Sequence, residues 1–121
     1  MINNQNTKRF DLEERTFRFA ERNRIFAKKL PKTQGNFDDC DQLIRSSGSV
    51  EANYIEANES LSKKDFFLRI KICRKEAKES KFWLKLVDTS NSEELEKERE
   101  ELIQEATELT KIFGSIVEKE K

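Results

Sequence analysis

Apolar residues recur at helical spacing along most of the chain, and the breaks in that pattern divide it into four segments. The first runs from about Asp11 to Leu30, where Leu12, Phe19, Ala20, Phe26, Ala27 and Leu30 share one face. Pro31 ends it, because proline has no N–H to give to the next helical bond. After a loop to Gly35, Asn36 is the expected N-cap of a second helix over residues 37–58, with Asp38 and Asp39 near its positive end. The apolar side of that helix carries Phe37, Cys40, Leu43, Ile44, Tyr54 and Ile55. Its middle, RSSGSVEAN, is a poor helix sequence, since Gly48 and three serines lower propensity. A helix keeps such residues where a neighbour packs closely or where it must bend, and the sequence allows both.

Ser62 is the next expected cap, with Asp65 three residues on, and opens a third helix over 63–87. Phe66, Ile70, Cys73, Ala77, Leu84 and Val87 form its core stripe, and Leu68, Ile72, Trp83 and Leu86 form a second stripe roughly opposite. The turn DTSNSEEL leads to a fourth helix over 92–118, with Leu95, Leu102, Leu109 and Ile116 at spacing seven and Ala106 and Phe113 between them. Four amphipathic segments joined by short loops predict an all-α fold, an up-down-up-down antiparallel four-helix bundle forming one domain over 1–121.

Composition agrees. Of the 121 residues, 40% are charged and 35% hydrophobic, with 3 Gly and 1 Pro, a balance that favours long helices over a many-stranded sheet. The net charge is zero, from 24 basic and 24 acidic side chains, which argues against a globally cationic nucleic-acid binder. The distribution is not even. Residues 1–32 carry nine basic and four acidic groups (+5), 33–59 one and six (−5), 60–88 nine and four (+5), and 89–121 five and ten (−5). Around a bundle in chain order, every adjacent pair of helices is then oppositely charged. Exposed pairs contribute only tenths of a kcal/mol each, roughly, so the pattern specifies arrangement more than stability.

Candidate chemistry is sparse. The chain has no histidine, the commonest general base and zinc ligand, and no P-loop, GxGxxG, HExxH or cysteine cluster. No catalytic residue, cofactor or metal is expected; only paired carboxylates such as Glu76 and Glu79 keep an enzymatic role open. Cys40 and Cys73 fall on core faces and read as free, reduced thiols. With no apolar leader at the start and apolar runs of only two or three residues, a cytoplasmic protein without membrane contact is expected. The most informative stretch is residues 45–57, where Arg45, Ser49, Asn53 and Glu56 form one polar stripe. It reads either as a solvated face with an Arg45–Ser49 contact or as a structural seam whose charged ends pair with another helix or another chain. Losing a buried partner there would cost roughly 3–5 kcal/mol, and an exposed one roughly 0–1 kcal/mol.

The pattern R-S-x-x-S-V-x-A-N-x-x-E-A at 45–57, preceded by DQLI and followed by DFFLRIKICRKEAKESKFWLKLV, resembles the four-helix-bundle family of 23S rRNA intervening-sequence proteins. The resemblance covers about residues 10–118, with Val50 where the family usually has Ile and Ala57 where it has Gly. Genes of that family occur in insertions within bacterial 23S rRNA genes, and its biochemical activity is not established. A similar bundle serves as the accessory protein of diversity-generating retroelements, as a basic ring of five that binds nucleic acid and the reverse transcriptase. The resemblance therefore implies a bacterial, non-enzymatic homo-oligomer, a pentamer by analogy. The apolar surplus independently suits an interface: Phe17, Ile25, Leu68, Ile72, Trp83 and Leu86 lie off the predicted core faces. The alternative is an RNA- or DNA-binding accessory protein. Arg15, Arg18 and Arg22 on the first helix, and Lys71, Arg74, Lys75 and Lys78 on the third, are its candidate contacts.

Overall fold

A computed structural model describes residues 4–120, with side chains from Leu12 onward. Four α-helices follow in chain order: α1 (Asn4–Lys29), α2 (Gln34–Asn58), α3 (Lys63–Leu86) and α4 (Glu93–Val117), closed by a 3-10 turn, Glu118–Glu120. Each packs on its neighbours in sequence and α4 returns to α1, giving the expected antiparallel bundle. The α1–α4 seam is the least intimate of the four.

The helix ends refine the sequence reading. α1 begins at Asn4 rather than Asp11, because extending a formed helix costs far less than nucleating one and needs no apolar pattern. The N-cap of α2 is Thr33, not Asn36: Thr33 has extended backbone (φ −110°, ψ 161°) and its hydroxyl accepts from the Asn36 N–H at 3.1 Å. Asp38 and Asp39 consequently lie beyond the first turn of α2. Ser62 and Ser92 cap α3 and α4, accepting from the N–H groups of Asp65 (3.1 Å) and Leu95 (3.2 Å). Ser90 and Asn91 make the intervening turn in the left-handed region, at φ 53° and 61°.

Asn36 does something the pattern did not announce. Buried inside the first turn of α2, it donates to the carbonyls of Pro31 (3.0 Å) and Asp88 (2.9 Å) and accepts from the Asp88 N–H (2.9 Å). One carboxamide thus ties the α1–α2 loop to the α3–α4 turn. Beside it, Arg99 of α4 donates to the carbonyl of Val87 at 2.6 Å, closing the end of α3.

The core divides into two apolar clusters. One gathers Phe19, Val50, Tyr54, Ile70, Leu109 and Phe113, and the other Phe26, Leu30, Leu43, Leu84, Leu95 and Leu102. Between them, the first three helices bury polar side chains: Asn23 on α1, Ser46 and Ser47 on α2, Glu76 and Ser80 on α3. The Ser80 hydroxyl lies 2.9 Å from both Ser46 Oγ and the Glu76 carbonyl, its one proton shared between them, and the Cys73 thiol reaches the Val50 carbonyl at 3.4 Å. The weak helix sequence of α2 is therefore answered by close approach of α3 at Ser46, while α2 remains one helix throughout. Phe37 and Ile55, expected on the apolar side of α2, are instead exposed, and Cys40 and Ile44 are half-buried. Ser46, Ser47 and Ala57 share the core side with Leu43, Val50 and Tyr54, which leaves Phe37 and Ile55 on the outer side.

Candidate functional site

The polar stripe on α2 lies beside α3. The Arg45 guanidinium reaches Glu79 Oε1 at 2.6 Å and Glu76 Oε1 at 3.6 Å. Asn53 donates to the Ser49 hydroxyl and carbonyl, both at 2.9 Å, and accepts from Arg69 of α3 at 3.1 Å. Ser49 therefore serves Asn53, not Arg45, and Glu56 is exposed, without a salt bridge among the described residues. The Arg45 side chain is 50% exposed, so its pairs belong with the weaker kind, about 0–1 kcal/mol after solvent screening.

Beneath Arg45, two carboxylates share one site. Burial raises the Glu76 pKa, and the adjoining Glu79, by hydrogen bond and by charge, raises it further. Burial works against Glu79 too, but the Trp83 indole N–H and the Arg45 guanidinium hold it below its ordinary value. Of the pair, Glu76 thus holds its proton to the higher pH and Glu79 ionises first. The sign follows: an acid whose folded pKa is raised holds a proton that the unfolded chain has released. Its contribution to stability declines as pH rises from the unfolded value through the folded one. Glu76→Gln, which keeps a donor toward Glu79 without a proton to lose, is expected to be more stable than the parent at pH 8 and equal to it near pH 4. Melting curves at the two pH values check this; an equal difference at both would remove Glu76 from the pH response.

The candidate basic residues separate into two groups. On α1, Arg15 forms a two-pronged pair with Glu105 (2.7 and 3.0 Å) and reaches Glu108 at 3.1 Å. Arg22 meets Glu101 at 3.1 Å and Lys29 meets Glu98 at 3.1 Å, while Arg18 is paired within its own helix to Glu14 at 2.6 Å. Arg15 and Arg22 are thus spent on α4, as the alternating segment charges foreshadow, and Arg18 is paired within α1. On α3, Lys71 pairs with Glu120 at 2.9 Å. Arg74, Lys75 and Lys78 have no salt bridge among the described residues.

One of these three, Lys78, borders a groove between α3 and α4, and Arg74 lies against α4 at Gly114, its Cδ 3.9 Å from where a side chain on that glycine would begin. Lys78, Lys81 and Lys85 of α3 and Thr107, Thr110 and Lys111 of α4 line the groove, a space of about 410 Å³. Phe82 stands among the lysines, 54% exposed and edge-on to Trp83, with ring centroids 4.8 Å apart. α4 is two-sided, presenting glutamates to α1 and threonines with Lys111 to this groove. The zero net charge conceals that separation.

The remaining candidates divide by depth. Phe17, Ile25, Leu68 and Leu86 are exposed, while Ile72 and Trp83 are half-buried, Trp83 packing against the second core cluster. Both thiols are free: burial pushes Cys73 up to about 12, and burial with nearby Asp39 raises Cys40, so neither is an activated nucleophile at neutral pH. Among the described residues, no helix is long and apolar enough to cross a membrane, and no three side chains of metal-ligating type are grouped.

Comparison with known proteins places this architecture. No curated protein matches the chain. Among solved structures, it is similar to a protein of unknown function from the S23 ribosomal protein family of Bacteroides thetaiotaomicron VPI-5482. The TM-score is 0.75 and the identity 31%, over 87% of this chain and 96% of that one. The family pattern described as 23S rRNA-intervening sequence protein matches residues 8–115, taking in the α2–α3 polar seam and the α3–α4 groove alike. With the same four-helix order and nearly the whole chain matched, the protein belongs to the 23S rRNA-intervening sequence protein family.

Proposed function

We propose that the protein is a non-enzymatic bundle that assembles with copies of itself. The observation that carries this reading is the apolar surface left outside a complete core: Phe17 and Ile25 on α1, Phe37 and Ile55 on α2, Leu68 and Leu86 on α3 are each about half exposed. A bundle of this size needs one apolar stripe per helix, and surplus stripes rimmed by charge mark contact with another protein surface. The absence of histidine from the sequence and the two unactivated thiols favour an assembly role over a catalytic one. By family resemblance the expected number of copies is five. Sedimentation equilibrium tests the reading: a multimer at micromolar concentration is expected, and a monomer overturns it.

A second reading, nucleic-acid binding, rests on the α3–α4 groove. Lys78, Lys81, Lys85 and Lys111 make no salt bridge among the described residues, and they line the groove with the exposed ring of Phe82. Cations that track phosphates beside an aromatic face that stacks on a base are the elements of single-strand recognition. Fluorescence anisotropy with a labelled single-stranded RNA and its DNA counterpart at low salt is the test. Lys78→Glu/Lys81→Glu/Lys85→Glu is expected to weaken binding at least ~100-fold and to lower the salt slope by about 2, three contacts at roughly 0.7 each. Equal binding by parent and variant rejects the groove.

A further inference from the structure

Each of the first three helices passes from one apolar cluster to the other at a buried polar residue. On α1, Asn23 stands between Phe19 and Phe26; on α2, Ser46 and Ser47 stand between Leu43 and Val50; on α3, Ser80 stands between Ala77 and Leu84. These residues therefore share one level along the bundle. The inward residues at that level are small, with Ala106 completing it on α4.

Asn23 is the member whose chemistry is unfinished. It is fully buried, and its Nδ2 donates to the Phe19 carbonyl at 2.8 Å. Its Oδ1 is buried without a hydrogen-bond partner among the described residues. Turning the amide over does not help, because Oδ1 would then face the Phe19 carbonyl oxygen. The other such atom, Glu76 Oε1, has the Arg45 guanidinium 3.6 Å away; Asn23 has no comparable neighbour. A buried acceptor without a donor is costly, and proteins seldom leave one so.

Ser47 is the nearest group by register. The Cys40 thiol meets the Ala27 carbonyl at 4.0 Å, and Asn58 donates to Glu13 at 3.2 Å, so the α2 edge carrying Cys40, Ser47 and Asn58 faces α1. Between those two contacts, the antiparallel run of the helices sets Ser47 level with Asn23. Its hydroxyl makes only a long bond, 3.4 Å, to the Ile44 carbonyl.

We infer that an internal water molecule bridges Asn23 of α1 and Ser47 of α2, donating a hydrogen to Asn23 Oδ1 and accepting the Ser47 hydroxyl proton. The site calls for a small neutral donor. A cation is the wrong ligand, since the buried carboxyl of α3, Glu76, is engaged with Glu79 and Arg45, and an unpaired buried charge is costly. Such a joint lets α1 part from α2 and re-form without an unsatisfied group, because bulk water takes the place of the bound molecule.

Water itself is the probe, in water–protein NMR of the parent. Cross-peaks from water to the carbon-bound Hβ protons of Asn23 and Ser47 are expected, with the NOE sign of a molecule that tumbles with the protein. Asn23→Leu removes the acceptor and fills its place, and is expected to lose the Ser47 cross-peak. No cross-peak at Asn23 in the parent overturns the inference. So does a Ser47 cross-peak that survives in the leucine variant, since it then reports exchange of the serine hydroxyl. Should the variant fail to fold, a crystal structure of the parent decides. Density for a water within hydrogen-bond reach of Asn23 Oδ1 and Ser47 Oγ is expected, and a direct Asn23–Ser47 contact or no such density overturns the bridge.

Discussion

Ser46→Leu is expected to lower the free energy of unfolding by about 2–4 kcal/mol. Ser46 is fully buried against α3, where the Ser80 hydroxyl lies 2.9 Å from its Oγ. A leucine there drives the two most intimately packed helices apart, an overpacking cost of about 1–3 kcal/mol. The lost hydrogen bond adds roughly 1 kcal/mol. Ser46→Ala leaves the spacing intact and is expected to show only the smaller part. Urea unfolding followed through the single tryptophan, Trp83, measures both, and a leucine variant within about 0.5 kcal/mol of the parent would falsify close packing as the reason for the weak helix sequence.

A similar loss, about 2–3 kcal/mol, is expected for Asn36→Ala, and it has a different origin. The carbonyl and the N–H of Asp88 lose their partner together, and the Pro31 carbonyl keeps only the Thr33 N–H at 3.0 Å. Each such group, if water does not reach it, costs on the order of 1 kcal/mol. Asn36→Asp is the sharper variant, since a carboxylate still accepts from the Asp88 N–H but donates to neither carbonyl. It is expected to unfold at nearly as low a urea concentration as the alanine variant. Retention of parental stability by the aspartate would show that the two donated bonds contribute little. Against a typical domain stability of roughly 5–15 kcal/mol, either change is large.

Most of the architecture is legible in the sequence because the signal is redundant. In α1, α3 and α4 the apolar period, the breakers and the charge alternation all agree, and residues such as Phe19, Ile70 and Leu102 are buried as their spacing predicts. In α2 the period misleads. Leu43 and Tyr54 are buried as predicted, but Ser46, Ser47 and Ala57 share the core side and carry little hydrophobic weight, so Phe37 and Ile55 draw the predicted face toward the edge. The Thr33 cap is obscured for a related reason: Asn36 has the chemistry of a cap, and only the distant Asp88 reveals its actual use. Long-range partners of that kind leave no periodic trace. The division of the basic residues is half visible, because segment charge foretells that α1 is neutralised by α4 but not that Lys111 and the two threonines leave one flank of α4 open to the α3 lysines.

The Asn36 clamp makes the two ends of the bundle mechanically unequal. At one end, a single buried side chain holds two loops, and hence all four helices, in one hydrogen-bonded knot. The other end has the α2–α3 loop, the start of α1 and the last turn of α4, where Lys71–Glu120 is a surface ion pair. Thermal opening then has a polarity: helices peel from the end that holds the start of α1 and the last turn of α4 and stay gathered at the knot, like a sheaf bound at one end. Amide hydrogens near Phe66 and Phe113 should accordingly exchange faster than those near Leu43 and Leu84, although all four belong to regular helix.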